Sequence, residues 1–497
     1  MIAHSTNKHV AATALLAALS FLVVSCSTPK LEERQVPPPD SIAAPGWAQG
    51  MAVYAIDVDR FNNGNRFNDP PGTDRRRKNH SADRPFGGDL FGIRQRIWYL
   101  RSLKINAVCL SPVFTGNLDP DYPTSDYLKI DPAFGTEKDL ETVVAKCHEN
   151  DIRVILDINL VYTGTEFFAF RDVLQRQDSS QYRSWFFISD FPVRRQDPPP
   201  YRSWRGRGDL PLLNTASPAV RKYLFDAIRK WTAPGIDGWR VLNADALPAD
   251  FLKALREFIK SIDPDLLLIG EVRDNVAARL QGDEFDAVQD EGFRRAVTGF
   301  FARDSLAPSQ FDAAIRNRFK QFPSLVPAAA WNTASNPHGK RFLSICEDSI
   351  KRALQAAFFQ LTTPGTPVIH YGEEMGLAAP GDNRPPISWE PSDWNNTVIN
   401  HYRNLLALRR EYPILRFGAF SKLLADDVSG VYAYELRYKN RRAVCVLNRS
   451  DVHVDATLPL PALRWREKMF GNLYQGTKQG LRVRYIPPRS SLLFLQE

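Results

Sequence analysis

The chemistry open to this chain centres on the run Gly235-Ile236-Asp237-Gly238-Trp239-Arg240-Val241-Leu242-Asn243-Ala244-Asp245. It reads as a turn, a short strand and a loop. Arg240 falls inside the apolar strand, and a buried guanidinium demands an anionic partner, so a carboxylate is expected to face it. Leu242, two residues on, shares its face of the strand. Glu271 ends a second apolar run, Leu-Ile-Gly-Glu-Val, where a carboxylate belongs either to a site or to the surface at which the strand opens out. The five cysteines, at 26, 109, 147, 346 and 445, have no metal-ligand spacing. Cys109, Cys147 and Cys445 lie in apolar or helical contexts and read as small buried hydrophobes.

The elements that position these residues alternate. Ala52 to Val58, Ala107 to Leu110, Arg153 to Ile158, Ile236 to Leu242, Leu266 to Gly270 and Pro367 to Tyr371 are strand-like, and Leu325 to Ala330 is a further strand weakened by Pro327. Arg94 to Leu103, Glu137 to Asn150, Pro218 to Trp231, Asp250 to Ser261, Asp348 to Leu361 and Tyr402 to Arg410 are helical. Strand then helix, repeated this often, predicts an α/β fold, a (β/α)8 TIM barrel over 47–412. An insertion after the third strand, about residues 160–215, is rich in aromatic, Arg and Pro residues. Over 413–497 short strand-like runs with few helix signals predict an all-β sandwich domain.

With 497 residues, 43% hydrophobic and 24% charged, the chain can bury a large core. The net charge of +8 is dispersed. Its densest cluster, Arg75-Arg76-Arg77-Lys78, lacks an aromatic platform or recognition module and reads as a solvated loop, so no nucleic-acid partner is expected. Val10 to Val24 has the length of a signal-peptide core and ends in Val23-Val24-Ser25-Cys26, which resembles a bacterial lipobox. The expectation is a lipidated Cys26, a stiff Pro-rich tether over 27–46, and a place in the bacterial cell envelope, with the membrane as a partner through the lipid. Ser27 points to the outer membrane under the enterobacterial sorting rule.

A series of short segments resembles the α-amylase family of glycoside hydrolases, and within it the neopullulanase, cyclomaltodextrinase and maltogenic amylase subgroup. The segments are Val58-Asp59-Arg60-Phe61, Phe86-Gly87-Gly88-Asp89-Leu90, Asp126-Tyr127, Ile130-Asp131-Pro132 and Phe134-Gly135-Thr136. They continue with Pro211-Leu212-Leu213-Asn214, Asp237-Gly238-Trp239-Arg240, Gly270-Glu271-Val272, Pro364-Gly365-Thr366-Pro367, Tyr371-Gly372-Glu373-Glu374, Arg384-Pro385 and Trp389. Each is short, and their order and spacing make the set specific.

The resemblance implies a retaining reaction in which one carboxylate attacks the anomeric carbon and a second carboxyl, about 5–5.5 Å away, protonates the leaving oxygen. It gives Glu271 the acid/base position and Asp157 the inner ion pair with Arg240. Elsewhere the chain departs from the pattern. The nucleophile position is Leu242, which has no lone pair and cannot form a glycosyl ester. The third acid is His338, the sugar-binding histidine before it is Pro337, the Asn-His pair after Asp157 is Val161-Tyr162, and the lysine of the fifth motif is Leu212. Sliding the motif to make Asp245 the nucleophile reverses its face of the strand. An inverting route would pair Glu271 with water activated by Asp157, Asp290 or Glu291.

The same resemblance implies a calcium site at Asn63, Asn65, Asn68, Asp69, Gly87 and Asp89, whose amide, carboxylate and carbonyl oxygens suit a hard cation; without it, the run is a Gly/Asn turn. Tyr122 falls on a stacking position for sugar, with Trp204, Trp331 and His370 as weaker candidates, and Tyr127 and Trp389 as structural residues. The expected ligand is an α-glucan or maltooligosaccharide. Loss of the nucleophile predicts a catalytically impaired, carbohydrate-binding protein; the alternative is an active α-glucan hydrolase or transglycosylase that uses Glu271 with a non-standard partner.

Overall fold

The computed structural model describes residues 44–74, 84–116, 123–194, 198–322, 329–335, 339–378 and 384–497. Cys26, the tether up to residue 43, Arg75–Lys78, Tyr122, Pro337 and His338 lie outside the described residues. The described residues all belong to one compact unit.

Eight strands form a closed parallel barrel: β1 (Val53–Ile56), β2 (Ala107–Leu110), β3 (Arg153–Asn159), β4 (Gly238–Leu242), β5 (Leu267–Val272), β6 (Ala287–Asp290), β7 (Ala330–Thr333) and β8 (Thr366–His370). Each pairs with its neighbours in chain order, and β8 closes on β1 with Val53 opposite Val368. The strands are apolar throughout because both faces are covered: one by the helices outside, the other by the side chains that fill the barrel. Val53, Ala55, Ala107, Cys109, Ile155, Leu267, Ile269, Ala287, Trp331 and Val368 make that inner core. Trp331 is thus a fully buried core residue and is no sugar platform.

The helices that cover the barrel follow from their patterning. In Ala249–Ile262, Phe251, Leu252, Leu255 and Ile259 are buried, the spacing of one helical face. Glu137–His148 begins with a capping box, the Thr136 hydroxyl accepting from Asp139 N while the Asp139 carboxylate accepts from Thr136 N. The insertion after β3 carries a helix at Phe168–Arg176 and is otherwise pinned by isolated bridges, such as Tyr162 to Leu212, and by packed aromatic rings.

Two strands differ from expectation. β7 runs over Ala330–Thr333, and residues 325–328 of the expected strand lie outside the described residues. β6, only four residues of Ala-Val-Gln-Asp, ends in Gln289, which faces the site, and Asp290, which pairs with Arg318, so its apolar run is too short to read. Beyond the barrel, six antiparallel strands order as 419–426, 431–438, 441–448, 490–496, 464–467 and 473–475, and a ribbon of 454–458 with 481–486 shares their core through Leu458, Val483 and Phe494.

The seam where β1 meets β8 is tied by Glu374. Its Oε1 accepts from the hydroxyls of Tyr54 (2.8 Å) and Tyr99 (2.7 Å), joining β1, the helix Leu90–Ser102 and the turn after β8. Burial pushes this carboxyl above its ordinary range, against the pull of the two hydroxyls. Glu374→Ala strands two buried hydroxyls and should lower unfolding free energy by about 3 kcal/mol, whereas Glu374→Gln, which keeps an acceptor, should cost about 1 kcal/mol. Equal urea midpoints for the two variants would show that the seam does not depend on this acceptor.

Candidate active site

At the C-terminal ends of the strands the barrel filling changes from apolar to polar. Asp57 follows β1, Asp157 lies in β3, Arg240 and Leu242 in β4, Glu271 in β5, Gln289 in β6 and His370 in β8, and these residues line one pocket. The register places Asp157 beside Arg240, and Asn159 beside Leu242. Glu271 lies inside β5, beside Gln289, because the strand continues two residues past Gly270. Gly270 is required there: a Cβ would stand 2.7 Å from the Phe285 ring.

Arg240 has the anionic partner its burial demands. Its Nε and Nη2 donate to the two oxygens of Asp157 at 2.7 and 2.6 Å, and its Nη1 donates to Gln289 Oε1 at 2.6 Å. The Cys109 thiol also donates to Asp157, at 3.1 Å. Burial works against the guanidinium charge, but Asp157, with Cys109 and Glu271 beyond it, raises its pKa above the ordinary arginine range. Asp157 is buried and held through both oxygens by this fork.

Glu271 is half-buried, and its Oε2 accepts from the backbone N–H of Asn243 at 3.0 Å. Asn243 holds a left-handed conformation, φ 52°, which turns that N–H toward the carboxylate. Leu242, 7% exposed, sits in the same floor. Free space on the floor is about 30 Å³, room for water and not for a sugar ring.

A wider groove of about 490 Å³ adjoins it, with Glu271 and Gln289 belonging to both. Trp204, Arg205, Glu291, Arg294 and Ser335 line it as well. Trp204 stacks on Tyr162 at 5.4 Å, so a tyrosine of the insertion supports the aromatic wall. Val161 and Tyr162, which occupy the Asn-His position, are both buried, and Leu212 packs on the core.

The remaining acids separate cleanly. Asp245 is exposed in the turn after β4, accepts from Arg273 N, and does not line the floor with Glu271, so it is no substitute for residue 242. Asp290 is buried against Arg318 and Gly292 N. Glu291 faces the groove and is gripped by Arg294 through both oxygens. On the far side of the mouth Ser335 and the His370 N–H donate to Glu373, and Arg341 stands near; burial pushes Glu373 up to about 7 against those pulls. Gln289 is not identified from the sequence, because its strand is too short to read, and Glu373 enters there only as part of the family segment Tyr371-Gly372-Glu373-Glu374, with no role in the site.

The loop expected to hold calcium is built as an oxygen cradle. Asn63 Oδ1 and Asn68 Oδ1 are buried with no hydrogen-bond donor. Asp69 accepts from Asn63 Nδ2 at 2.7 Å. Gly87, φ 78°, admits no side chain, since a Cβ would stand 2.4 Å from Asp69 Oδ1. Asp89 caps the helix that follows, accepting from Gly92 N at 2.6 Å, and also takes Asn65 N at 2.8 Å. Among the described residues no three His, Cys, Asp or Glu side chains converge as a metal site, so a cation here rests chiefly on amide and carbonyl oxygens. That donor chemistry fits calcium and not a transition metal.

The Asp157–Arg240 pair is buried to 4% and 7% side-chain exposure, so it can be tested by a double-mutant cycle. Arg240→Leu alone should cost about 3–5 kcal/mol by leaving a buried carboxylate uncompensated, and Asp157→Leu with Arg240→Leu should recover most of it. Denaturant titration of the three variants measures this; a double variant as unstable as the sum of the singles would refute the pairing.

The chain resembles known proteins over most of its length. The model of the α-amylase catalytic domain matches residues 55–401. Neopullulanase 2 from Thermoactinomyces vulgaris is 34% identical over 458 residues, 90% of this chain and 78% of that protein. A cyclomaltodextrinase from Thermoanaerobacter pseudethanolicus is 34% identical over 463 residues, 92% of this chain and 78% of that protein. Among solved structures, a cyclomaltodextrinase superposes with a TM-score of 0.86 at 30% identity, covering 91% of this chain and 79% of that one. The cyclic α-maltosyl-(1→6)-maltose hydrolase of Arthrobacter globiformis, in complex with cyclic α-maltosyl-(1→6)-maltose, gives 0.83 at 26% identity and 91% and 99% coverage. A closed parallel barrel of this kind, with buried Asp157 and Arg240 and with Glu271 at its mouth, matched over 347 contiguous residues (55 to 401) by the catalytic-domain model, belongs to the α-amylase family.

Proposed function

We propose that this protein acts on α-glucans as a glycoside hydrolase that uses Glu271 with a partner other than residue 242. The observation that carries this reading is the groove of about 490 Å³ shared by Glu271, Glu291 and Trp204. The aromatic face of Trp204 suits a sugar ring, and the two carboxyls supply an acid and a base. The relatives named above support a carbohydrate substrate of the maltooligosaccharide or cyclodextrin kind. A glycosyl ester cannot form on Leu242, so the reaction takes the inverting form. Glu271 gives its proton to the glycosidic oxygen as the bond to the anomeric carbon breaks, while Glu291 takes a proton from the water that attacks the opposite face. Such a pair works at about 6.5–9.5 Å.

One observation favours a second reading, binding without turnover: the floor beneath Glu271 is filled by Leu242, with about 30 Å³ free. Incubation with maltoheptaose or β-cyclodextrin, with the product anomer followed by NMR, separates the two. The hydrolase reading expects inverted product and a loss of roughly 10³-fold or more in Glu271→Gln, and a large loss in Glu291→Gln. Calorimetric binding of maltoheptaose with no product at all would establish the second reading and end the first.

Calcium belongs to the same proposal. Asn63, Asn65, Asn68, Asp69, the Gly87 carbonyl and Asp89 would hold it, supported by the two undonated amide oxygens. Bound there, it would supply a hard positive charge that stiffens the loop before the helix Leu90–Ser102. Addition of EGTA should lower the thermal midpoint by several degrees, and Asn68→Ala should abolish that difference. An unchanged midpoint with excess chelator would remove calcium from the account.

The N-terminal reading completes it: Cys26 as a lipid anchor in the cell envelope, supported by the Val-Val-Ser-Cys sequence after an apolar core.

A further inference from the structure

The groove beside Glu271 does not end there. It shares Arg273, Asp274, Arg294 and Arg295 with a second concavity, of about 600 Å³, between the loop after β5 and the helices Glu291–Val297 and Pro308–Gln321. Arg303 and Arg318 line its far part. Two of these guanidinium groups are neutralised, Arg294 by Glu291 and Arg318 by Asp290. Among the described residues Arg273, Arg295 and Arg303 form no ion pair; the lining holds five guanidinium groups against the two carboxylates Asp274 and Asp290, and that excess of like charge repels itself unless a counter-charge is supplied.

Arg318 stands behind this lining. Its side chain is 3% exposed, Asp290 takes its Nε and Asn332 its Nη2, and its Nη1 is buried with no acceptor. Its guanidinium also lies over the rings of Phe293, Phe319 and Phe322 at 5.0, 5.2 and 5.1 Å, so Arg318 is a fixed positive charge behind the wall, and the exposed Arg273, Arg295 and Arg303 are the groups a ligand can reach. Guanidinium groups lining one concavity match the oxygens of phosphate, sulfate or carboxylate, and a neutral glucan offers nothing of that charge.

We infer that this arginine-lined concavity binds an anionic substituent, of the phosphate, sulfate or carboxylate class, carried on the glycan whose sugar backbone lies in the groove at Glu271. The inference rests on the α-glucan reading for the chain that bears the charge, and on the arginines alone for the charge itself. It narrows the substrate class from neutral α-glucans to acidic ones.

The test is calorimetry on the full chain with three probes: maltoheptaose, a phosphorylated maltoheptaose and inorganic phosphate. The phosphorylated glycan should bind roughly tenfold or more tightly than the neutral one at low salt, and the advantage should shrink as ionic strength rises. Arg295→Gln with Arg303→Gln, both at exposed positions, should remove the advantage. Equal binding of the charged and neutral glycans overturns the inference, as does an advantage that survives the double substitution. Inorganic phosphate bound as tightly as the phosphorylated glycan assigns the concavity to a free anion and overturns the glycan assignment. Phosphate binding that depends on Arg295 and Arg303, together with no binding of either glycan, refutes the α-glucan reading and leaves the anion site standing.

Discussion

The site depends on one buried ion pair. Asp157 and Arg240 lie on adjacent strands inside the barrel, joined by two charge-assisted hydrogen bonds, with Gln289 extending the network to β6. Three strands thereby share one electrostatic commitment at the depth where apolar filling gives way to chemistry. Such a pair adds little net stability over an apolar replacement, but breaking it in half is expensive. That asymmetry explains how both members persist in a chain whose neighbouring position 242 is a leucine. The pair fixes the register and the polar end of the barrel independently of any reaction at the mouth.

Around that pair the site has two compartments with different physics. The floor is tight and partly apolar, closed by Leu242. The groove beside it is wide and charged, lined by both carboxylates and guanidinium groups and by Trp204. Electrostatic interactions strengthen where water is excluded, so the chemistry available at Glu271 depends on which compartment a ligand fills. The Tyr162–Trp204 stack belongs to this division, because the buried Tyr162 braces the groove wall.

The sequence made most of this legible where a physical rule has a strong local signature. The demand of Arg240 for a partner follows from its type and its apolar neighbours, and the family resemblance supplied Asp157. Strand and helix alternation gave the barrel, since each element must bury its own apolar face. What escaped was short or shaped by tertiary contacts. The Ala287–Asp290 strand is too brief for its period to register, and its Gln289 faces the site. Trp331 carries the same letter as Trp204, yet one points into the barrel from a strand and the other walls the groove from a short turn of the insertion, a difference only the fold reveals. The arginines of the second concavity come from separate segments, 273, 294–295, 303 and 318, and only the fold brings them together.

Asn243 leaves a consequence of its own. Its left-handed backbone sends an N–H to Glu271, so the orientation of that carboxyl is written into chain geometry and not into a neighbouring side chain. Asparagine is among the few residues other than glycine that adopt this conformation readily. A β-branched residue at 243 would release Glu271 without touching it, which makes this backbone turn a concealed control point for engineering the acid's aim.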